Sequence, residues 1–549
     1  MKSSGISISL LSAGALFISI AAHSQTLQDA IKLTNNEEFE QADKAFKSLQ
    51  IAQPAVGNIY FYKGENFYNW GKTDSAQNTY QKGINVNAAE PLNYIGLGKV
   101  LMGNGDSKNA MDNFSKAKVM AKGNPVVLSK IAEAYITVAG KDQASDLLKQ
   151  AVDLLKQAIS SDAKNATYHI DLGDAYLAQN PTDGSKSIDE YNQAQMIDAK
   201  NVNTMLRLGR LWKNARDYKS SYDYFLKATK LDSTFAPAYR EQAEMLKDAG
   251  RFDEAIAAYK KYLQLNNSLT ARSRYGSFLY LAKKYDDAIT ELQNVLSQDS
   301  SNIILYRVLG YSQYEKKDYL NGLKNMKKFF DKAPGAKIKI LGSDYSYLGK
   351  LLSKNNQDSL AVITLNQAVT IFNNETSTDV QDIYQLIGQI YYQDQNYPNA
   401  VIYFKKRIHA KGTSADANDY YFLGLAQYNS KMYQGADSSF TKITISNPDL
   451  LLGYQWKARS NGLIDSTQAL SKPIWEQYIQ KVGADTIKNK AGLIEAYSTL
   501  AYFYYLKKDK ENTASNYKKV LALDPANENA KAYFESLKPK PVPKTPGKK

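Results

Sequence analysis

Cysteine is absent from the 549-residue sequence, and histidine is scarce. Without cysteine the chain forms no disulfide, binds no zinc through thiolates, has no cysteine nucleophile and lacks the lipidated cysteine of a bacterial lipoprotein. The three histidines, His23, His169 and His409, lie far apart in the sequence, whereas a zinc site needs clustered ligands at fixed spacing. The sequence therefore predicts no metal site.

Motifs that bind nucleotides or form catalytic centres are also missing. Gly349-Lys350 lacks the G-x4-G-K-[ST] spacing of a phosphate-binding loop and continues with Leu351. Gly96-x-Gly98 lies in a helical pattern instead of following a strand, as a dinucleotide fingerprint would. Acidic pairs are frequent, but without an enclosed pocket such pairs are usually solvated surface. We therefore predict no enzyme activity and no cofactor.

The one long apolar run stands at the start of the chain. Lys2 precedes an apolar stretch from Ile6 to Ala22, and Ala22-His23-Ser24 resembles a signal-peptide cleavage site. The run is short for a membrane span, so residues 1–24 are interpreted as a removable signal peptide. The predicted mature protein is exported, periplasmic or secreted, is not a lipoprotein, and has no transmembrane span.

A small residue recurs along the chain at steps close to 34 residues. It stands at Ala30, Gly64, Gly98, Ala132, Gly173, Gly209, Ala243, Gly276, Gly310, Gly349, Gly388, Gly424, Ala458 and Ala501. A second small residue follows in many units, as at Ala255, and a large side chain comes four residues later, as at Tyr259. Residues four apart share one face of a helix. The pattern therefore predicts helix pairs whose helices approach closely at the small residues.

This pattern resembles the tetratricopeptide repeat, in which 34-residue helix-turn-helix units stack on one another. Leu97-Gly98, Leu172-Gly173 and Leu208-Gly209 carry the resemblance, which extends over residues 27–537. It implies an all-α, right-handed α-solenoid (superhelix) of about 13–14 repeats. We divide the array into residues 25–334, with the N-terminal and middle repeats, and 335–537, with the C-terminal repeats. A joint is expected near Pro334, and a distorted hairpin is expected around Pro473.

The end of the chain has a different composition. Residues 538–549 contain four prolines and five lysines but one valine as their only bulky apolar residue. Such a segment cannot bury a core, so we predict a disordered, extended and solvated tail.

Positive charge is concentrated in the middle repeats. The formal net charge is +14, and residues 203–354 hold 27 lysines and arginines against 16 acidic residues. The resemblance implies that the first helix of each repeat lines a concave groove where partners bind. By position in the repeat, the groove would present Arg207, Arg210, Lys213, Arg240, Lys247, Arg274, Arg307, Tyr311, Tyr314, Lys350, Lys354 and Tyr392. Guanidinium groups pair bidentately with carboxylates, and tyrosine adds apolar area with a hydroxyl.

Our hypothesis is a non-catalytic scaffold or adaptor of the bacterial cell envelope that binds an acidic or extended segment of another envelope protein, in an envelope assembly or secretion machinery. The carboxylate clamp of chaperone-binding members does not carry over, because Leu206, Glu241 and Thr270 occupy its positions. A competing interpretation is that the basic residues are plain solvated charge.

An alternative function is binding of an acidic polymer, such as a wall or surface polysaccharide or lipid headgroups, through the basic middle repeats and the tail. Peripheral membrane or wall association stays open. Nucleic acid is not a predicted partner, because most of the 41 tyrosines stand at repeat-core positions and are not available for base stacking.

Overall fold

The computed structural model describes residues 26–139 and 144–538. The predicted signal peptide at residues 1–24 lies outside the described residues, as does the predicted tail apart from Lys538. Within the described part, 29 α-helices and one short 3₁₀ helix are present and no strand occurs. The predicted all-α class is therefore confirmed.

The described helices fall into two compact units, divided between Asp299 and Ser300. The described helices of the first unit are α1 (Leu27–Asn35), α2 (Phe39–Ala52), α3 (Gly57–Asn69), α4 (Thr73–Val86), α5 (Pro91–Gly103), α6 (Ser107–Ala121), α7 (Pro125–Val138), α8 (Ala144–Ser161), α9 (Ala166–Gln179), α10 (Ser185–Ile197), α11 (Val202–Asn214), α12 (Tyr218–Leu231), α13 (Ala236–Asp248), α14 (Phe252–Leu265), α15 (Leu269–Leu281) and α16 (Tyr285–Gln298).

The described helices of the second unit are α17 (Ile303–Glu315), α18 (Tyr319–Lys332), α19 (Gly342–Lys354), α20 (Asp358–Phe372), α21 (Thr378–Gln393), α22 (Tyr397–Lys411), α23 (Ala417–Asn429), α24 (Tyr433–Ser446), α25 (Leu451–Ile464), α26 (Lys472–Val482), α27 (Lys490–Leu506), α28 (Lys510–Leu523) and α29 (Glu528–Ser536). The 3₁₀ helix, Gly412–Ser414, follows α22 directly.

Each odd-numbered helix from α1 to α27 packs against the even-numbered helix that follows it. The described residues thus contain fourteen hairpins, and α29 is an additional helix after the last one. All fourteen recurring small residues lie on the odd-numbered helices, as the sequence pattern requires. The prediction of a solenoid of about 13–14 helix pairs is confirmed.

The recurring glycines permit close contact between the backbone of the first helix and a large side chain of the second helix. A Cβ atom added at Gly209 would lie 2.4 Å from Cε1 of Phe225, and one at Gly173 would lie 2.4 Å from Cε1 of Tyr191. Phe225 and Tyr191 are fully buried. The second helix therefore approaches the first through this large side chain, which occupies the space that a β-carbon would need.

The turn inside most hairpins contains one residue in the left-handed region. Glycine fills this position at Gly71, Gly105 and Gly250, which suits its freedom to adopt a positive φ. Other hairpins place a residue with a side chain there, as at Glu37, where φ is 64°. The left-handed residue reverses the chain within a few residues and places the two helices side by side.

Odd-numbered helices also contact each other along the chain. In the first unit, α3 packs on α5, α5 on α7, α7 on α9 and α11 on α13, and in the second unit α17 packs on α19. We call the surface that these odd-numbered helices present the first-helix surface. Side chains on this surface come from successive repeats and lie close enough to interact.

Two irregular connections occur where the sequence contains proline. Helix α18 ends at Lys332 and α19 begins at Gly342, so Pro334 lies in a long connection inside the second unit. The joint and the domain boundary placed at this proline stay predictions. Pro473 lies in the first turn of α26, where its missing N–H removes no helical hydrogen bond. In this hairpin, where a distortion is expected, a long connection joins α25 to α26, and α26 has 11 residues.

Among the described helices, none combines the length and the apolar composition that a membrane span requires.

Candidate partner-binding surface

All twelve residues assigned to the predicted groove lie on odd-numbered helices. Their role in a partner-binding groove stays a prediction. Six belong to the first unit: Arg207, Arg210 and Lys213 on α11, Arg240 and Lys247 on α13, and Arg274 on α15. The other six belong to the second unit: Arg307, Tyr311 and Tyr314 on α17, Lys350 and Lys354 on α19, and Tyr392 on α21.

Glu241 on α13 is the acceptor for three of the predicted cations. Its carboxylate lies 2.9 Å from Nη2 of Arg210, 2.9 Å from Nζ of Lys213 and 3.2 Å from Nη2 of Arg240. Burial would raise the pKa of Glu241, but the three cations outweigh it and lower that pKa to about 2. Glu241 is therefore ionised at neutral pH and holds α11 and α13 together.

Glu37, in the turn between α1 and α2, reaches the same group of arginines. Its carboxylate accepts hydrogen bonds from Nη2 of Arg240 at 3.0 Å, from Nη1 of Arg274 at 2.6 Å and from the hydroxyl of Tyr262 at 2.8 Å. Burial would raise the pKa of Glu37, but the two guanidinium groups and the hydroxyl lower it overall. The first hairpin of the chain is thus bound to the seventh and eighth hairpins.

Arg207 and Lys247 also have acidic partners. Nε of Arg207 donates to both carboxylate oxygens of Asp174 at 2.9 and 2.8 Å, and the hydroxyl of Tyr191 donates to Asp174 at 2.6 Å. Nζ of Lys247 lies 2.5 Å from Glu244. All six cations predicted in the first unit therefore form ion pairs inside the chain. Whether they bind an external partner stays a prediction.

Earlier repeats continue this network of charges. Nζ of Lys99 lies 2.6 Å from Glu65, Lys130 pairs with Glu133, and Oγ of Ser129 donates to Asp171 at 2.6 Å. Burial and the neighbouring carboxylate of Glu133 raise the pKa of Asp171 to about 7. The first-helix surface of the first unit is therefore lined by charges of both signs.

The second unit presents aromatic rings with a few cations. Tyr311 and Tyr347 stack with their ring centroids 4.0 Å apart, and Tyr314 meets Tyr347 edge-on at 5.4 Å. The ammonium groups of Lys350 and Lys354 lie 5.4 and 5.9 Å from the ring centroids of Tyr347 and Tyr319. These distances are within the range of cation–π attraction.

Arg307 and Tyr311 have a structural role in the second unit. Nε of Arg307 lies 2.7 Å from the buried carboxylate of Asp344, and the hydroxyl of Tyr311 donates to the same carboxylate at 2.5 Å. Asp344 also accepts from the backbone N–H of Leu341 and so caps the start of α19. Tyr392 accepts a hydrogen bond from Nδ2 of Asn429 at 2.8 Å. Arg307, Tyr311 and Tyr392 are therefore held in place by contacts between consecutive repeats.

The acidic partners of these cations were missed in the sequence, although most have a recognisable spacing. Glu65 and Lys99 are 34 residues apart, Asp174 and Arg207 are 33 apart, and such pairs occupy similar positions in neighbouring repeats. Opposite charges at about one repeat length were therefore a usable signal. Glu37 and Arg240 are 203 residues apart, and no local pattern marks that contact.

His169, one of the two histidines in the described residues, lies beside an acidic side chain. Nδ1 of His169 lies 2.8 Å from the carboxylate of Glu190, which fixes its ring on the following helix. Across residues 26–139 and 144–538, no group of three or more histidine, cysteine or acidic side chains is placed to hold a metal ion.

Models of the tetratricopeptide repeat match residues 240–303 and 494–527. A TPR repeat-containing protein of Methanocaldococcus jannaschii is 22% identical over 280 residues, a match covering 50% of this chain and 48% of that protein. The CTR9 homolog of Arabidopsis thaliana is 24% identical over 272 residues, covering 47% of this chain and 24% of that protein. The matched region therefore spans about half of the archaeal relative and about a quarter of the plant relative.

Among solved structures, the C-terminal part of a TPR repeat-containing protein from Cytophaga hutchinsonii is 34% identical, with a TM-score of 0.40. The match covers 48% of this chain and 99% of that structure. With fourteen helix hairpins and these family-model matches, the chain contains tetratricopeptide repeats, and arrays of such repeats generally serve as protein-interaction scaffolds.

Proposed function

We propose that this protein is a non-catalytic scaffold of the bacterial cell envelope, exported by its N-terminal segment, and that it binds partner proteins along the first-helix surface. Export is inferred from the sequence of Lys2 and the apolar run Ile6 to Ala22. Successive first helices present side chains at repeated intervals, which suits an extended partner segment that crosses several repeats.

One observation carries the choice of binding region: two partly exposed tyrosines of α17 and α19, packed around the buried Tyr311, lie next to two lysines of α19. We call Tyr311, Tyr314, Tyr347, Lys350 and Lys354 the tyrosine–lysine surface. Tyr314, Tyr347 and Lys350 are partly exposed and Lys354 is exposed, while the stacking described above holds the rings in place. Fixed aromatic rings offer contact area at little cost in conformational entropy, and the lysines favour an acidic segment.

The cations of the first unit are less suitable positions for testing this proposal. Arg207, Arg210 and Arg274 belong to the groove predicted from the sequence, yet each forms an ion pair inside the chain. Reversing them would change the stability of the array together with any binding. The tyrosine–lysine surface separates the two effects better, because Lys350 and Lys354 contact aromatic faces.

The test is affinity capture of the tagged, mature chain from cross-linked envelopes of its own cell. We expect specific envelope proteins to be captured, and we expect Tyr314→Ala combined with Lys350→Glu and Lys354→Glu to reduce their yield about tenfold. Lys324→Glu, on the even-numbered helix α18, is the matched control because Lys324 is exposed and does not belong to the tyrosine–lysine surface. Equal yields from all variants would rule out this surface as the binding region.

The same preparation tests the acidic-polymer alternative. Retention on isolated wall material or anionic vesicles that falls steeply with salt, in the absence of captured protein, would favour the polymer. Retention that persists at 0.3 M salt and depends on a protein partner favours the scaffold.

A further inference from the structure

The turn between α1 and α2 is unusual among the hairpin turns because its left-handed residue is acidic. Twelve residues other than glycine have a positive φ in the described part of the chain. Seven are lysine or arginine and four are asparagine or glutamine, and Glu37 is the remaining one. The backbone of the position thus accepts many side chains, so the carboxylate of Glu37 is not required by the turn.

The carboxylate is instead matched by a set of donors that lie more than 200 residues away in the sequence. Arg240 and Arg274 come from the first helices of consecutive hairpins, and Tyr262 comes from α14 between them. Side chains of Glu37 and Arg240 are only 16% and 20% exposed, so water screens this pair poorly. Two guanidinium groups and one hydroxyl form a site suited to a single carboxylate.

A fourth side chain recognises the backbone of the turn. Nδ2 of Asn266 donates to the carbonyl oxygen of Glu37 at 2.9 Å and lies 3.5 Å from that of Asn36. Asn266 is buried and caps the C-terminus of α14, where its own backbone N–H donates to Tyr262. The site therefore binds a carboxylate together with the carbonyl groups of a tight turn.

The contact between the α1–α2 turn and the middle hairpins is made by polar groups, so it can break independently of the apolar cores. The buried apolar cluster of the first hairpin includes Ala30 and Phe46, whereas the cluster of the middle hairpins includes Phe235 and Tyr262. These two clusters have no member in common. Two further polar contacts flank Glu37: Lys32 to Asp232 at 3.5 Å, and Nε1 of Trp70 to the hydroxyl of Thr270 at 3.2 Å.

We propose that Arg240, Tyr262, Asn266 and Arg274 form a binding site for an acidic turn of a partner protein, and that the α1–α2 turn of this chain occupies it as an internal competitor. The partner turn supplies one carboxylate and one or two backbone carbonyl groups. Binding of the partner displaces the first hairpin from the seventh and eighth hairpins. This inference rests on the proposed scaffold function, but its site is separate from the tyrosine–lysine surface.

The internal contact is tested by Glu37→Lys in the full-length purified protein, read out by hydrogen–deuterium exchange. Lysine occupies the equivalent position in the turns at Lys283 and Lys317, so the hairpin itself should fold. Lysine also faces Arg240 and Arg274 with a like charge. We expect exchange to rise severalfold in residues 26–53 and 262–274, with the far-ultraviolet spectrum unchanged.

Gln395→Lys is the matched control, because Gln395 has the same left-handed position in the α21–α22 turn of the second unit. It should leave exchange in residues 26–53 at the wild-type level. Unchanged exchange in the Glu37→Lys protein would overturn the proposed contact.

The binding site is tested with a labelled, end-capped peptide of residues 33–39, which contains Glu37 in its own sequence. The Glu37→Lys protein should bind it at least about tenfold more tightly than wild type, because the competitor has left the site. Adding Arg274→Gln to that protein, or replacing Glu37 by glutamine in the peptide, should remove the gain. Equal affinity for both proteins, or a gain that survives Arg274→Gln, would overturn the proposal.

These measurements use no envelope partner, so their outcome is independent of the affinity-capture test of the scaffold function. Lys350→Glu with Lys354→Glu should leave peptide binding unchanged. Peptide binding without any captured envelope protein would remove the scaffold proposal while leaving the acidic-turn site intact.

Discussion

At the scale of single residues, Glu241 shows how much of the first-helix surface depends on internal charge pairing. We expect Glu241→Gln to lower the free energy of unfolding by about 3 kcal/mol, because it leaves Arg210, Lys213 and Arg240 without their shared acceptor in a largely buried place. Urea unfolding monitored by circular dichroism measures this. Glu254→Gln is the control, since Glu254 pairs with Arg251 at the exposed surface, and its midpoint should not move.

The same carboxylate gives the stability of the first unit a defined pH dependence. The pKa of Glu241 is about 2 in the folded protein and 4.5 in its ordinary state. A group whose folded pKa is lowered stabilises the protein above its ordinary pKa, and that contribution disappears as the pH falls through the folded value. We expect the wild type to lose stability relative to Glu241→Gln between about pH 4.5 and pH 2. Parallel pH profiles for the two proteins would contradict this assignment.

The sequence predicted which side chains lie on the first-helix surface but not what they contact there. Arg207 and Arg210 lie on the first helix α11 because position within the repeat determines which helix a residue occupies. Their partners, Asp174 and Glu241, depend on how far one hairpin rotates relative to the next. Composition and net charge carry no information on that rotation, so internally paired arginines and arginines available to a ligand have the same sequence pattern.

At the scale of helices, each hairpin depends on a glycine or alanine that faces a large buried side chain. We expect Gly209→Ala to lower stability by about 1–2 kcal/mol, because its Cβ would lie 2.4 Å from the ring of Phe225. Ala243 and Tyr259 occupy the same places in another hairpin and are both buried, so we expect a small shift of the second helix to accommodate a methyl group. The expected cost is therefore moderate.

Gly103→Ala is the control for that substitution. Gly103 ends α5, and a Cβ atom there would meet no other atom within 4 Å. The replacement should leave stability unchanged or raise it by up to about 1 kcal/mol, because alanine favours the helix. Equal losses from Gly103→Ala and Gly209→Ala would show that the ring contact is not the cause.

Helix positions were the most predictable feature of the fold. The spacing of small residues placed all fourteen first helices, since that spacing reflects packing within a single hairpin. The short helix α29 and the extent of the α25–α26 connection did not follow from it, because they depend on contacts at the end of the array and on turn chemistry around Asp465.

At the scale of the whole molecule, an array of repeats transmits a local change mainly to the neighbouring repeats. We expect Gly209→Ala to raise hydrogen exchange in α11, α12 and the adjoining hairpins, and Gly388→Ala to do the same around α21 and α22. Exchange measured by mass spectrometry on the full chain tests this. A uniform rise across residues 26–538 in either variant would indicate one cooperative unit and contradict the expectation.

The contact between Glu37 and Arg240 also constrains the number of hairpins that lie between these two residues. Five complete hairpins, α3 to α12, separate the first hairpin from the one that carries Arg240. Duplicating or excising a single hairpin in that stretch would preserve every contact within the remaining hairpins but would carry Glu37 out of reach of its two arginines. Repeat number between α3 and α12 is therefore constrained by geometry, and the array cannot change length there without giving up this attachment.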